Sequence, residues 1–186
     1  MDTIKSLAVC LIMLLVMAIA TGCNNDGNAQ QSQTQFSSQL SGTYVSTEID
    51  TNADGKKAVF TVLEGAGSLG SITAQGVGEW SNLLAPVTCP VGSTEATLVS
   101  GNWVLRTSNG DLIYTDFSSG TGCTNLSTGT ATGSTEGSII GGTGQFLNAT
   151  GSVQASGTGT PLVSDPEGDS FGSLITTLTG TIITPD

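Results

Sequence analysis

The chain has 186 residues, and 15 acids against four Lys and Arg give it a formal net charge of −11. That balance argues against electrostatic docking on nucleic acid or on anionic lipid. Histidine is absent, which removes the commonest general base and the commonest zinc or copper ligand.

At the N-terminus, Lys5 is the only positive side chain before residue 23, and an apolar run extends from Leu7 to Ala20. The run is short for a membrane-crossing helix of about 20 residues and reads as the core of a signal peptide. It ends in Ala20-Thr21-Gly22-Cys23. This resembles the bacterial lipobox, with Ala20 standing where Leu is usual. The resemblance implies removal of residues 1–22, lipid on Cys23 and attachment to a membrane through that lipid. Each buried CH₂ adds about 0.8 kcal/mol, so several acyl chains make a durable anchor. Asn24 in place of Asp favours the outer over the inner membrane of a bacterial envelope. An ordinary signal peptide with Cys23 as a bystander is the competing reading. Loss of residues 1–22 removes one acid, Asp2, and one base, Lys5, so the mature charge stays at −11, with Lys56, Lys57 and Arg106 as its cations.

Residues 24–40, NNDGNAQQSQTQFSSQL, offer little to bury. We expect a lipidated, flexible tether over 23–40 and one folded domain over 41–186. That domain is rich in Gly, Thr, Ser, Val and Ile, with no helical period sustained over three turns. Short β-rich runs separated by Gly, Pro, Asn and Asp predict an all-β fold. Strands are expected at 43–49, 58–63, 71–80, 96–100, 102–108, 111–117, 130–140, 152–158 and 171–183. A closed antiparallel barrel of about eight strands removes the exposed edges. A two-sheet sandwich is the alternative.

Between the first two strands, Asp50, Asn52 and Asp54 precede Gly55 as in the first half of a calcium loop. The twelfth position holds Thr61 rather than Glu, so weak calcium binding competes with a solvated hairpin loop, which is favoured. Glu79, before Trp80, is a candidate acid or base by position. Cys89 and Cys123 are the pair left once Cys10 and Cys23 are set aside, and in an oxidising compartment they predict a disulfide. Asn109-Gly110 is a strong two-residue hairpin signal. It sets Ser108 opposite Asp111, which puts Trp103, Leu105, Leu112, Tyr114 and Asp116 on one inward face. There Asp116 would be a second catalytic carboxylate. Solvated strand ends are the favoured reading for both acids.

The segment Gly141-Gly142-Thr143-Gly144-Gln145-Phe146, continuing to Gly151, is the most distinctive in the chain. Its glycines suit a tight exit from a strand, and Phe146 is an apolar anchor able to plug a barrel end. Without Gly-Lys-Ser/Thr opening a helix, it is not a phosphate loop. The segment resembles the GGTG signature of the allene oxide cyclase and dirigent-type barrels, in particular uncharacterised bacterial proteins of that type. Gln145 departs from the usual Arg or Lys. Asp50–Gly55, Gly78-Glu79-Trp80, Cys89-Pro90 and Gly180-Thr181-Ile182 extend the resemblance over most of 42–183. It implies a barrel with a cavity and carries over no catalytic residue.

Together these features lead us to expect a lipid-anchored envelope lipoprotein acting as a binding or structural module, with a small apolar molecule as possible ligand. The alternatives are a cyclase or isomerase working through Glu79 or Asp116, and a surface structural protein without a ligand.

Overall fold

A computed structural model describes residues 31–47, 56–83, 88–164 and 169–185. The calcium-loop candidates Asp50, Asn52 and Asp54, and Cys23 with the whole leader, lie outside the described residues. Eight strands follow in chain order: β1 Gln31–Thr47, β2 Lys57–Gly67, β3 Gly70–Leu83, β4 Ser93–Thr107, β5 Leu112–Asn125, β6 Ala131–Gly142, β7 Thr150–Ser164 and β8 Ser170–Pro185. Each strand is antiparallel to the next, and β8 returns to pair with β1, so the sheet is a closed barrel. Closure distinguishes it from a sandwich and leaves no unpaired edge.

Side chains alternate inward and outward along each strand. Inward Leu40, Leu63, Ile72, Leu105, Ile113 and Leu178 are all at most 2% exposed. They fill the half of the barrel from which the tight β2–β3 and β4–β5 turns emerge. The 3₁₀ turn Gly144–Phe146 closes that end and places Phe146 in the core at 5% exposure. Gly144 has φ +57, and a Cβ there would stand 1.9 Å from Asp111 Oδ1, so both backbone and space require glycine. Thr143 completes the dock: its N–H donates to the Leu112 carbonyl at 2.9 Å, and its hydroxyl accepts the Leu112 N–H at 2.9 Å. The GGTG segment thus fastens the β6–β7 connection onto the β4–β5 hairpin.

Three expectations need correction. The first is the domain boundary. The tether was expected through residue 40, but β1 begins at Gln31, with Phe36, Ser38 and Leu40 buried. Only two of these inward positions are large and apolar, and the outward Gln and Ser give the stretch a linker-like composition. The second concerns strands 96–100 and 102–108, which are one strand, β4. A bulge at Val99 shifts its register against Glu79 and Trp80 of β3.

The third is the hairpin. Its loop has three residues, Ser108 to Gly110, closed by Thr107 opposite Asp111. The Thr107 N–H donates to the Asp111 carbonyl at 3.0 Å, and the Gly110 N–H to the Thr107 carbonyl at 2.9 Å. Gly110 takes φ +92. This is a turn followed by a glycine bulge, the usual three-residue hairpin. Asn109 Nδ2 donates to Asp111 Oδ2 at 2.9 Å, and the Thr107 hydroxyl reaches the Asp111 carbonyl at 3.1 Å. These side-chain bonds hold the longer loop. The extra residue inverts β5 relative to the expectation, so Ile113, Thr115 and Phe117 face inward and Leu112, Tyr114 and Asp116 outward.

Phe146→Ala should cost about 3–5 kcal/mol, since it empties the plug of the closed end. Urea denaturation followed by circular dichroism checks this, and a loss under about 1 kcal/mol would contradict the plug.

Candidate functional site

The other half of the barrel is not filled. Inward positions there hold small residues, among them Gly78, Ala96, Gly101, Gly122, Gly133 and Gly157, and a cavity of about 470 Å³ remains, open at the barrel mouth. Gly122 pairs with Gly133, and Gly133 with Gly157, so three neighbouring strands present bare backbone to the cavity. The volume lies in the range of small-molecule sites, roughly 300–1,000 Å³.

Aromatic side chains occupy the remaining wall. Tyr44, Trp80, Trp103 and Phe117 line the cavity, with Leu98 and Leu174. Trp103 and Phe117 meet edge to face, centroids 5.3 Å apart at 64°, a favourable arrangement of the two ring quadrupoles. Trp103 has room because Gly76 beside it lacks a side chain: a Cβ there would fall 1.8 Å from the indole. The chain has only two tryptophans, and both face this space. Buried hydroxyls near the cavity are satisfied by the wall: Thr61 donates to the Gly76 carbonyl at 3.5 Å and Thr115 to the Trp103 carbonyl at 3.2 Å. At the rim, Ser46, Thr124, Ser164 and Ser170 add polar groups, and Lys57 is the one charged lining residue among those described.

Neither carboxylate singled out in the sequence reaches this space. Glu79 lies between the two lining residues Gly78 and Trp80, and therefore on the outer face. Asp116 is exposed on the outer wall opposite Asn102, a placement that follows from the three-residue hairpin loop. The sequence expectation of an inward Asp116 is therefore corrected. Among the described residues no group of three His, Cys, Asp or Glu side chains is placed to hold a metal.

A buried carboxylate that sequence reasoning missed is Glu95, 4% exposed. It sits outside the cavity on β4, opposite Cys123. Its Oε2 accepts the Thr88 N–H at 2.8 Å and the Cys89 N–H at 3.4 Å, and its Oε1 accepts the Thr88 hydroxyl at 3.1 Å. The disulfide Cys89–Cys123 ties the same segment to β5, with Cα atoms 5.5 Å apart. Two attachments, the disulfide and the hydrogen bonds to Glu95, thus hold the chain entering β4 against the outer wall behind Ala96 and Gly122. A Glu between Thr94 and Ala96 carries no sequence signal of burial. The only hint is the nearby Thr88-Cys89-Pro90 loop, whose N–H groups need an acceptor once the disulfide draws it to the wall.

The disulfide closes a loop with a sequence separation of 34, worth about 3–4 kcal/mol in the chain-entropy model. Replacing both cysteines by Ser should lower unfolding free energy by about that amount. Glu95→Ala should cost about 2–3 kcal/mol by stranding the Thr88 and Cys89 donors. Urea midpoints check both, and wild-type stability in Glu95→Ala would contradict the clamp.

Among solved structures, the chain is similar to the pterocarpan synthase dirigent protein GePTS1, at 12% identity and a TM-score of 0.45, with 90% of this chain and 99% of that one covered. No family model and no curated protein matches the chain.

Proposed function

We propose that this protein is a binding module whose barrel takes a small apolar molecule through its open end. The observation that carries the reading is the half-filled interior: a cavity of about 470 Å³ walled by indole, phenyl and bare glycine backbone. Water in such a space has few polar partners, and its displacement by an apolar ligand is favourable. The cyclase or isomerase alternative relied on Glu79 or Asp116, and both lie on the outer face.

The protein is, in this proposal, an envelope lipoprotein anchored by lipid on Cys23, in the outer rather than the inner membrane. The support is the apolar run ending in Ala20-Thr21-Gly22-Cys23. β1 enters the barrel at the filled end. An anchor at Cys23 therefore sets that end nearest the bilayer and turns the mouth toward the aqueous side. Acyl labelling of the wild type and of Cys23→Ala tests the anchor: label must enter the first and not the second.

Because Trp80 and Trp103 are the only tryptophans and both line the cavity, indole fluorescence reports occupancy directly. Titration with an uncharged naphthalene derivative should shift and saturate the emission. Gly122→Leu should abolish the response while circular dichroism stays that of a β-barrel. A Cβ at position 122 meets its nearest neighbour at an ordinary 3.5 Å, and the longer side chain projects into the space. Emission unmoved by any apolar probe, with no small molecule retained in native mass spectrometry, would refute a binding role.

A further inference from the structure

The barrel wall has a seam between β4 and β5. From the closed end, their ladder runs from Arg106 opposite Leu112 up to Gly101 opposite Phe117. It lapses over 98–100 and 118–120, then resumes at Thr97 opposite Thr121 and ends at Ser93 opposite Asn125. Both strands advance four residues across the gap, so they part and rejoin without slipping register. At the same height each strand carries a bulge toward its other neighbour: Val99 against β3 and Ser118 against β6. Bulges bend a strand and interrupt its ladder. Both sides of the seam therefore have a place to flex at one level of the barrel, and the five pairs nearer the mouth are cut off from the main ladder.

The two halves of the seam are held by different means. Below the gap, the Trp103 and Phe117 rings meet across it, the Thr115 hydroxyl donates to the Trp103 carbonyl, and buried Leu105 faces buried Ile113. Above the gap, the facing residues include Ala96 with Gly122 and Thr94 with Thr124, pairs that bury little apolar surface. The Leu126 N–H donates to the Gly92 carbonyl at 2.9 Å near the rim. Glu95 fastens Thr88 and Cys89 to β4, on one side of the seam. The bond from Cys89 to Cys123 of β5 crosses it covalently. Both sulfurs belong to half-buried residues on the outer wall. Ala96, Leu98, Gly122 and Thr124 all line the cavity, so parting the strands above the gap opens the cavity sideways, and the ring pair below the gap stops the parting there.

We propose that the mouth half of the β4–β5 seam is a lateral gate to the cavity and that Cys89–Cys123 is its redox latch, an inference that rests on the binding role given to the cavity. A dithiol reductant releases the latch. One thiolate attacks the Cys89 sulfur and displaces Cys123. The second thiol then closes the reductant into a cyclic disulfide and frees Cys89, and the two protons of the dithiol end on the two cysteine thiols. Glu95 keeps Cys89 beside β4 after reduction, so the latch can re-form. Oxidised and dithiothreitol-treated protein are compared in two ways: release of the naphthalene derivative by stopped-flow indole fluorescence, and amide hydrogen exchange read by mass spectrometry. Reduction, or Cys89→Ser combined with Cys123→Ser, should speed release by roughly tenfold to a hundredfold. Exchange should quicken at 93–97 and 121–125 and stay slow at 101–107 and 112–117. Leu40→Ala in the filled half lowers stability to a similar extent and should leave release unchanged, which separates a gate from mere destabilisation. Release at the oxidised rate after reduction, release quickened equally by Leu40→Ala, or exchange that rises across the whole barrel would each overturn the gate. Should neither form bind the probe, the binding reading falls, and the exchange pattern alone then decides whether the seam opens.

Discussion

An eight-stranded barrel encloses an interior of nearly fixed width, just enough for side chains to fill. Whether such a barrel is solid or hollow is decided by the residues at its inward positions. In this protein the decision changes halfway along the axis. Toward the closed end, Leu and Ile dominate the inward positions and Phe146 seals the floor. Toward the mouth the inward positions of β5, β6 and β7 become Gly122, Gly133 and Gly157. The cavity needs no displaced strand or gap in the sheet. It is the volume that those side chains would have occupied, and the aromatic wall persists because glycines beside it leave the rings room.

The two ends also differ in how their connections are secured. At the closed end, turns of two and three residues and the GGTG dock hold the rim through backbone and short polar contacts. At the mouth, the β3–β4 connection is bound twice to the outer wall, by the disulfide and by Glu95. Both attachments stand behind Ala96 and Gly122, two lining residues of the cavity, so they stiffen its wall from outside. A rigid wall lowers the ordering cost of binding, which makes a clamp at this place functionally reasonable as well as stabilising.

Much of this was legible in the sequence, and the exceptions share a cause. Strand after strand of Val, Ile and Thr between Gly and Asn left only closed or sandwiched sheets, and the closed form is the one found. The Cys89–Cys123 bond followed from arithmetic on four cysteines. Phe146 as a plug followed from a large apolar residue set among glycines. Legibility failed where one residue of register mattered. Asn109-Gly110 announces a hairpin but does not fix whether its loop has two residues or three; that choice depends on Thr107 and Asp111, which bond across the turn. It reversed the inside and outside of β5 and with them the position of Asp116. The bulge at Val99 had the same character, making one strand read as two. β1 was hidden differently, because a strand that contributes only Phe36 and Leu40 to the interior keeps the composition of a linker. The cavity itself was invisible, since glycine in a strand reads as a break until its partners on neighbouring strands are known.

The seam between β1 and β8 has a consequence for the order of assembly. Gln31 pairs with Pro185, and the ladder runs on to Ser46 opposite Ser170, so the first strand synthesised waits for the last. Until the final residues are available, β1 and whatever has paired with it present an open edge, the kind of surface on which chains aggregate. Polar Gln and Ser on the outward side of β1 make that wait less hazardous. The same seam makes folding dominated by contacts distant in sequence, and therefore slow compared with helical domains of similar length. Removing β8 as a whole would leave β1 and β7 as open edges and the barrel unclosed.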